Sequence, residues 1–204
     1  MPIILENFAK NNSISGIWKT SESEEDLLEL ITLSDYDKNL LKQISLQKRR
    51  LEIIATRVLM KNIGINRQII YKNHIPTCNN GFISISHSNN LVAVIWHPTK
   101  KTTIDIELIS EKITRVSQKV FSNQELLFAD NNQEILTILW NCKECVYKIF
   151  QQENIEFKKQ IKVFPFEKNK KINCSIVHNN IQKIYTFNYL IIDKFSMVWG
   201  TEDH

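Results

Sequence analysis

Two acidic side chains on one predicted strand are the first residues that could do chemistry. Asp105 and Glu107 lie two apart in the segment 102–108, TTIDIEL, which alternates polar and apolar residues as a strand does. Side chains two apart on a strand point to the same side, so the two carboxylates lie together while Ile104 and Ile106 point to the core. Paired carboxylates suit Mg²⁺, although this pattern alone is more often a solvated strand face.

A carboxylate and a lysine form a second group on a predicted helix, 133–151. Glu144 and Lys148 are four apart and share one face of that helix, and Trp140 lies one turn before them. The face therefore presents an aromatic ring, a carboxylate and an ammonium in sequence. By itself the charged pair is more typical of an exposed salt bridge, which contributes only a few tenths of a kcal/mol.

Hydroxyl and imidazole groups at the end of an earlier predicted strand could bind phosphate oxygens. The strand ends in Ser86, His87 and Ser88, and two hydroxyls and an imidazole bind such oxygens well. Adjacent residues on a strand point to opposite faces, so Ser86 and His87 do not form the contact that a hydrolase triad needs.

Basic residues on a predicted helix of the same half form a fourth group. The run 48–50, Lys-Arg-Arg, is followed by Arg57. Arg50 and Arg57 are seven apart and share one helix face. This set could clamp a polyphosphate or could simply be surface charge.

The elements that position these groups alternate helix and strand in both halves of the chain. Helical periodicity is strongest over 35–63, shorter helices are expected in 113–128 with a capping box that begins at Ser122, and a long amphipathic helix spans 133–151. The segment 161–199 reads largely as strands. The pattern predicts an α+β fold.

A polar break near the middle of the chain predicts two halves. Residues 98–101, Pro-Thr-Lys-Lys, form this break, so we expect an N-terminal half over 1–99 and a C-terminal half over 100–204. The two halves are similar in size, and each contains a helix and a hairpin or meander.

Composition excludes several classes of protein. The chain has 204 residues, 43% hydrophobic and 24% charged, which is ordinary for a globular protein and argues against disorder. Its formal net charge of +4 suits an anionic ligand or an acidic partner but is too weak to indicate nucleic acid. We see neither a signal peptide nor an apolar run near the roughly 18 residues of a membrane span, so we expect a cytoplasmic protein with no membrane partner.

The order of the motifs resembles the 4′-phosphopantetheinyl transferase superfamily in its long, single-chain form. A basic helix, KRRLEIIATRVLMK, precedes ISISHS, TIDIE and WNCKECVYK, and the resemblance covers about Lys48 to Pro165. DIE followed by WxxKExxxK at this separation, with SHS before it, is a specific signature. The resemblance implies two pseudo-twofold-related halves, each a small antiparallel sheet packed on a long helix, with the active site in the cleft between them.

The resemblance also implies a Mg²⁺-dependent reaction. Members of this superfamily move the phosphopantetheine arm of coenzyme A to a serine of an apo acyl or peptidyl carrier protein and release 3′,5′-ADP. Position by position, Asp105, Glu107 and Glu144 match the family's metal-binding acids, and Glu144 also matches the proposed general base. Lys148 matches a lysine that stabilises the pyrophosphate.

Further positions match residues that bind coenzyme A in the superfamily. Lys48 and Arg50 lie where basic side chains meet the 3′-phosphate, Ser86 and His87 match phosphate-contacting positions, and Lys143 matches the lysine of the KE motif. The two-half form is expected to be a monomer.

Two positions depart from the pattern of the superfamily. Ile75 stands where its GKP motif has a lysine, and Thr103 stands where GIDIE has glycine. The first departure motivates an alternative, a catalytically impaired member that serves as a coenzyme A- or carrier-protein-binding module. Retention of all the acids and of Lys148 favours the enzyme.

Overall fold

The computed structural model describes residues 3–10, 12–151 and 154–202 and has a mixed α+β architecture with antiparallel sheets. The chain divides into two compact units, residues 1–101 and 102–204. Within the described residues, no helix combines the length and the apolar character that crossing a bilayer requires. The α+β pattern expected from the sequence is confirmed.

The first unit is built on an antiparallel sheet. Its strands are β1 (Ile3–Glu6), β2 (Ile14–Lys19), β3 (Ile69–Lys72), β4 (Ile75–Cys78), β5 (Phe82–Ser88) and β6 (Leu91–His97). The order in the sheet is β1–β2–β6–β5, while β3 and β4 form a separate hairpin. β5 and β6 are joined by a tight turn in which Asn89 has a left-handed φ of 55°. Such a turn suits an asparagine.

Helices of the first unit cover the stretch that periodicity marked as helical. They are α1 (Glu24–Glu29), α2 (Asp35–Lys42) and α3 (Gln47–Asn62). The predicted stretch 35–63 is therefore interrupted between α2 and α3. Arg50 stabilises the end of α2, because its Nη1 donates to the carbonyl oxygens of Leu41 at 2.5 Å and Ile44 at 3.5 Å. A helix end needs partners of this kind for its last carbonyl groups.

Apolar side chains of α3 form the centre of the first core. This helix packs against β2 and β6. Its most buried apolar residues are Ile53, Ile54, Ala55, Val58, Leu59 and Met60. The charged residues near its start, from 48 to 50, stay at or near the surface.

The second unit contains a five-stranded antiparallel sheet and the long predicted helix. Its elements are β7 (Thr102–Leu108), α4 (Lys112–Val120), α5 (Asn123–Ala129), α6 (Gln133–Phe150), α7 (Phe157–Gln160), β8 (Ile161–Val163), β9 (Ile172–His178), β10 (Ile181–Ile192) and β11 (Phe195–Thr201). The strand order is β7–β11–β10–β9–β8. The capping box at the start of α5 is confirmed, since Ser122 and Glu125 exchange backbone-to-side-chain hydrogen bonds.

Packing of α6 on β7 and β11 positions the charged groups of the second unit. In β7, Ile104 and Ile106 are fully buried, as their alternation predicted. Asp105 and Glu107 alternate with them and lie opposite Val198 and Ser196 of β11.

Candidate functional site

Asp105 is the centre of a charged group formed by β7 and α6. Asp105 is 4% exposed, and both of its carboxylate oxygens have partners on α6. Lys148 Nζ lies 2.7 Å from Oδ1 and also donates to the carbonyl oxygen of Ile104 at 3.0 Å. Asn141 Nδ2 donates to Oδ2 at 2.8 Å. The strand acid is thus fixed between an ammonium and an amide.

Glu144 lies next to this pair and carries the most informative pKa of the site. The pKa of the Glu144 carboxyl is raised from 4.5 to about 7, mainly by burial and next by the nearby Asp105 carboxylate. Lys148 acts in the opposite direction, and Glu107 adds a smaller raising effect. Asp105, Glu107, Glu144 and Lys148 therefore form one electrostatic group.

Lys148 stays charged in this environment. Burial disfavours its ammonium form, but the Asp105 carboxylate outweighs that effect, with help from Glu144, so the pKa of Lys148 is raised. Its side chain is 27% exposed. A charged amino group with access to solvent can bind a further anion.

Charge and donor chemistry of the group fit a divalent cation. When Asp105, Glu107 and Glu144 are all ionised, Lys148 leaves two negative charges in excess. The donors are carboxylate oxygens, which hard ions such as Mg²⁺ prefer and which zinc sites use less. Among the residues that the structure describes, no three His, Cys, Asp or Glu side chains are already arranged as a metal site. Mg²⁺ needs only one or two carboxylates when phosphate and water supply the other ligands.

Lys143 is placed differently from the prediction that it binds coenzyme A. Its side chain is fully buried in the second unit, and Nζ lies 3.0 Å from Glu125 Oε1. Nζ also donates to the carbonyl oxygens of Phe157 at 3.0 Å and Ile161 at 2.6 Å. The structure does not bring Lys143 to Asp105, because five residues along a helix turn it about 140° away from Lys148.

In the first unit, His87 meets Arg49, the member of the basic run 48–50 to which the resemblance gave no role. Arg49 Nη1 contacts His87 Nε2 and lies 3.0 Å from Glu52 Oε2. His87 Nε2 lies 3.5 Å from the same carboxylate oxygen. Arg49 and His87 are about one-third exposed. Ser86, on the same strand, is buried. This set can offer positive charge to a phosphate.

Arg50 and Arg57 form neither a clamp nor unpaired surface charge, the two alternatives that their spacing left open. Arg50 is held by Glu24 through Nε and Nη2 and by carbonyl oxygens at the end of α2, which makes it a link between helices. The hydrogen bond from Arg50 lowers the pKa of Glu24. Arg57 is 5% exposed and pairs with Asp37 at 2.7 Å. Each arginine therefore has its own acidic partner, while Lys48 is exposed.

Asn141 and Glu52 belong to these groups but were not predicted from the sequence, and Arg49 was predicted only as a member of the basic run 48–50. Asn141 precedes Glu144 by three and Lys148 by seven, so helical spacing already placed it on their face. Arg49 and Glu52 are three apart and signal an ion pair in the same way. Their contact with His87, 38 positions away, has no signal in local spacing.

Thr103 fits into β7 without the conformational freedom of a glycine. It is fully buried, and its backbone is not among those with positive φ in the described residues. Its partner across the ladder is Gly200, which has no side chain of its own. Ile75, at the other departure from the motif pattern, is an exposed residue in β4.

Comparisons with known proteins give no identification. No family model matches the chain. No curated protein matches it significantly.

Proposed function

We propose that the protein is a Mg²⁺-dependent 4′-phosphopantetheinyl transferase. It would move the phosphopantetheine arm of coenzyme A to a serine of an apo acyl or peptidyl carrier protein and release 3′,5′-ADP. The observation that carries the proposal is the buried Asp105 carboxylate, held by Lys148 at 2.7 Å and by Asn141 at 2.8 Å, with the Glu144 carboxyl beside it. In the absence of a cation the pKa of Glu144 is raised to about 7 by burial and by Asp105, so this carboxyl group releases its proton nearer to neutral pH than an ordinary glutamate does.

In the proposed reaction, Glu144 acts as general base. The serine hydroxyl gives its proton to the Glu144 carboxylate while its oxygen forms a bond to the phosphorus of the phosphopantetheine phosphate. The bond from that phosphorus to the bridging oxygen of the pyrophosphate breaks, and 3′,5′-ADP leaves with the electron pair. Lys148, charged and partly exposed, stabilises the negative charge on the phosphate oxygens.

Asp105, Glu107 and Glu144 are the residues that would hold Mg²⁺. The ion would neutralise charge on the pyrophosphate. Asn141 keeps the Asp105 carboxylate in a fixed orientation, which a ligand of a small, geometrically demanding ion requires. Phosphoryl transfer depends mainly on positioning and electrostatic stabilisation, and these side chains supply both.

Coenzyme A would use the basic residues of the first unit for its phosphates. We assign this role to Ser86, His87 and Lys48, and we place Arg49 there instead of Arg50, because Arg49 contacts His87 and Arg50 is held by Glu24. Lys143 is omitted from the set, because its amino group is already bound by three oxygen atoms of the second unit.

The remaining parts of the proposal follow from the resemblance. In each unit a long helix, α3 or α6, packs on an antiparallel sheet, which supports a pseudo-twofold relation between the halves. We propose a cytoplasmic monomer whose partners are coenzyme A and a carrier protein. Nucleic acid and membrane are not part of the proposal.

Intact-mass spectrometry of apo carrier proteins tests this function. Each carrier is incubated with the protein, coenzyme A and Mg²⁺, and the expected result is a mass gain of one phosphopantetheine arm. The matched variants are Glu144→Gln at the site and Glu134→Gln at the exposed start of α6. No gain on any carrier, with coenzyme A binding retained, would support the binding-module alternative and contradict the proposal.

A further inference from the structure

A polar groove in the first unit is distinct from the residues assigned to the proposed reaction. It has a volume of about 510 Å³ and lies between the loop before α2, the second half of α3 and the segment 65–68 that follows α3. Small-molecule sites commonly occupy about 300–1,000 Å³. The size of the groove suits a small organic molecule better than a bare ion.

Positive charge is in excess along the groove. Arg57, Lys61 and Arg67 line it, and Asp37 is the acid among the lining residues. Two positive charges therefore remain after the acid is paired. Apolar side chains supply a further part of the lining: Ile31, Leu33, Met60 and Ile65. The combination favours an anion that carries an apolar body.

Arg57 is the anchor of this lining and has an unused donor. Its guanidinium is fixed by Asp37 Oδ1, at 3.0 Å from Nε and 2.7 Å from Nη2. Asp37 is in turn held by Ser34 Oγ at 2.8 Å. Nη1 is closed to solvent and has no hydrogen-bond partner among the residues that the structure describes, so an acceptor oxygen in the groove reaches it only when the neighbouring side chains move. That contact would stabilise the buried donor.

Lys61 and Arg67 complete the positive lining from more exposed positions. Lys61 Nζ donates to the carbonyl oxygen of Leu30 at 2.9 Å, and the Arg67 guanidinium lies 5.8 Å from the centre of the Trp96 ring. Neither side chain is in an ion pair with a carboxylate among the described residues, so the charge of both is available to a ligand.

We propose that this groove binds a small organic oxyanion. A phosphate or carboxylate group would be held by Arg57, Lys61 and Arg67, and the organic body would contact the apolar side chains of the lining. This inference does not depend on the proposed transferase activity, because it uses none of the residues assigned to that reaction.

Calorimetric titration of the full chain with phenyl phosphate, benzoate and inorganic phosphate tests the proposal. The groove variant is Lys61→Gln with Arg67→Gln, and the charge-matched control is Lys10→Gln with Lys19→Gln. All four side chains are exposed, so both double variants should fold. We expect saturable binding of phenyl phosphate or benzoate that weakens by about tenfold or more in the groove variant and is unchanged in the control.

The two organic probes distinguish a phosphate ligand from a carboxylate ligand, and tighter binding of either one supports the site. Absence of saturable binding for both probes would overturn the proposal, and so would an equal loss in the two double variants. Equal affinity for inorganic phosphate and phenyl phosphate would overturn the assignment to an organic ligand. Circular dichroism of both double variants confirms that a loss of binding is not a loss of fold.

Discussion

Two lysines of helix α6 each pair with a carboxylate of another element, but one pair is fully buried and the other is partly exposed. Lys143 is fully buried and meets Glu125 and two carbonyl oxygens. Lys148 is partly exposed and meets Asp105, with Glu144 nearby. In the first pair every charge has a matching partner. In the second, carboxylates outnumber ammonium groups.

The surroundings of each pair explain its role. The Lys143 ammonium ties α6 to α5 and to the segment around α7 and β8, and Glu125 also caps α5 and accepts from Val163 N at 2.9 Å. Such a balanced and satisfied pair holds elements together. The group around Lys148 holds several carboxylates close together, and their repulsion lowers the stability of the fold. The same excess of negative charge favours the binding of a cation or of a proton. We infer that the Lys143–Glu125 pair has a structural role and that the group around Lys148 has a chemical one.

Removing the base should have the largest effect. We expect Glu144→Gln to lower the rate of phosphopantetheinyl transfer by about 10²–10⁴-fold, since it removes general base catalysis. The measurement is the rate of mass gain on an apo carrier protein, with Glu134→Gln as the control. A rate within twofold of the wild type would remove Glu144 from the chemistry.

Removing the buried ammonium of Lys143 should destabilise the folded protein. We expect Lys143→Met to lower the free energy of unfolding by about 3–5 kcal/mol, because it leaves the Glu125 carboxylate buried without its cation. Urea denaturation measures this change. Lys148→Met is the comparison variant and should cost less stability, since the Lys148 side chain is 27% exposed and Asn141 still donates to the Asp105 carboxylate after the ammonium is removed. Equal losses would contradict the distinction between the pairs.

Stability should fall with pH through the titration of Glu144. Its folded-state pKa is about 7 instead of 4.5, so between those values the folded state binds a proton that the unfolded state has lost. Stability is then highest below pH 4.5 as far as this group is concerned, and about 3 kcal/mol is lost as pH rises through 7. Urea denaturation at several pH values, without divalent cations, measures the slope.

Glu144→Gln is the control for that slope, because glutamine does not titrate. The variant should lack this contribution and be more stable than the wild type above pH 7. If the free energy of unfolding of the two proteins changes with pH in the same way, burial and Asp105 do not shift the pKa of Glu144 in solution.

Removing the amide that orients Asp105 should have the smallest effect of the four. We expect Asn141→Ala to lower the free energy of unfolding by about 2 kcal/mol, because it takes a hydrogen bond from a buried carboxylate. It should also reduce transfer, while Asn141→Asp should reduce it more because it adds a like charge. Denaturation and the mass assay measure both. If neither the free energy of unfolding nor the rate of transfer changes, Lys148 alone is enough to orient the Asp105 carboxylate.

Periodicity along single elements predicted much of the fold. Alternation placed Ile104 and Ile106 in the interior and left Asp105 and Glu107 together, and four-residue spacing put Glu144 and Lys148 on one face. The capping box at Ser122 was equally legible, because a serine and a glutamate three residues later satisfy backbone groups locally. The break between α2 and α3 could not be predicted in this way, because Arg50 of α3 stabilises the end of α2 through a hydrogen bond to the Leu41 carbonyl oxygen.

By itself, the sequence determined the types of element and which charged side chains share a face, since both follow from covalent geometry over a few residues. Only the tertiary structure decided which lysine meets which acid. Lys143 and Lys148 have the same charge and lie on the same helix, and their roles differ because α6 turns one toward Glu125 and the other toward Asp105. The same holds for Arg49 and Arg50, which are neighbours in the chain but contact His87 and Glu24 respectively.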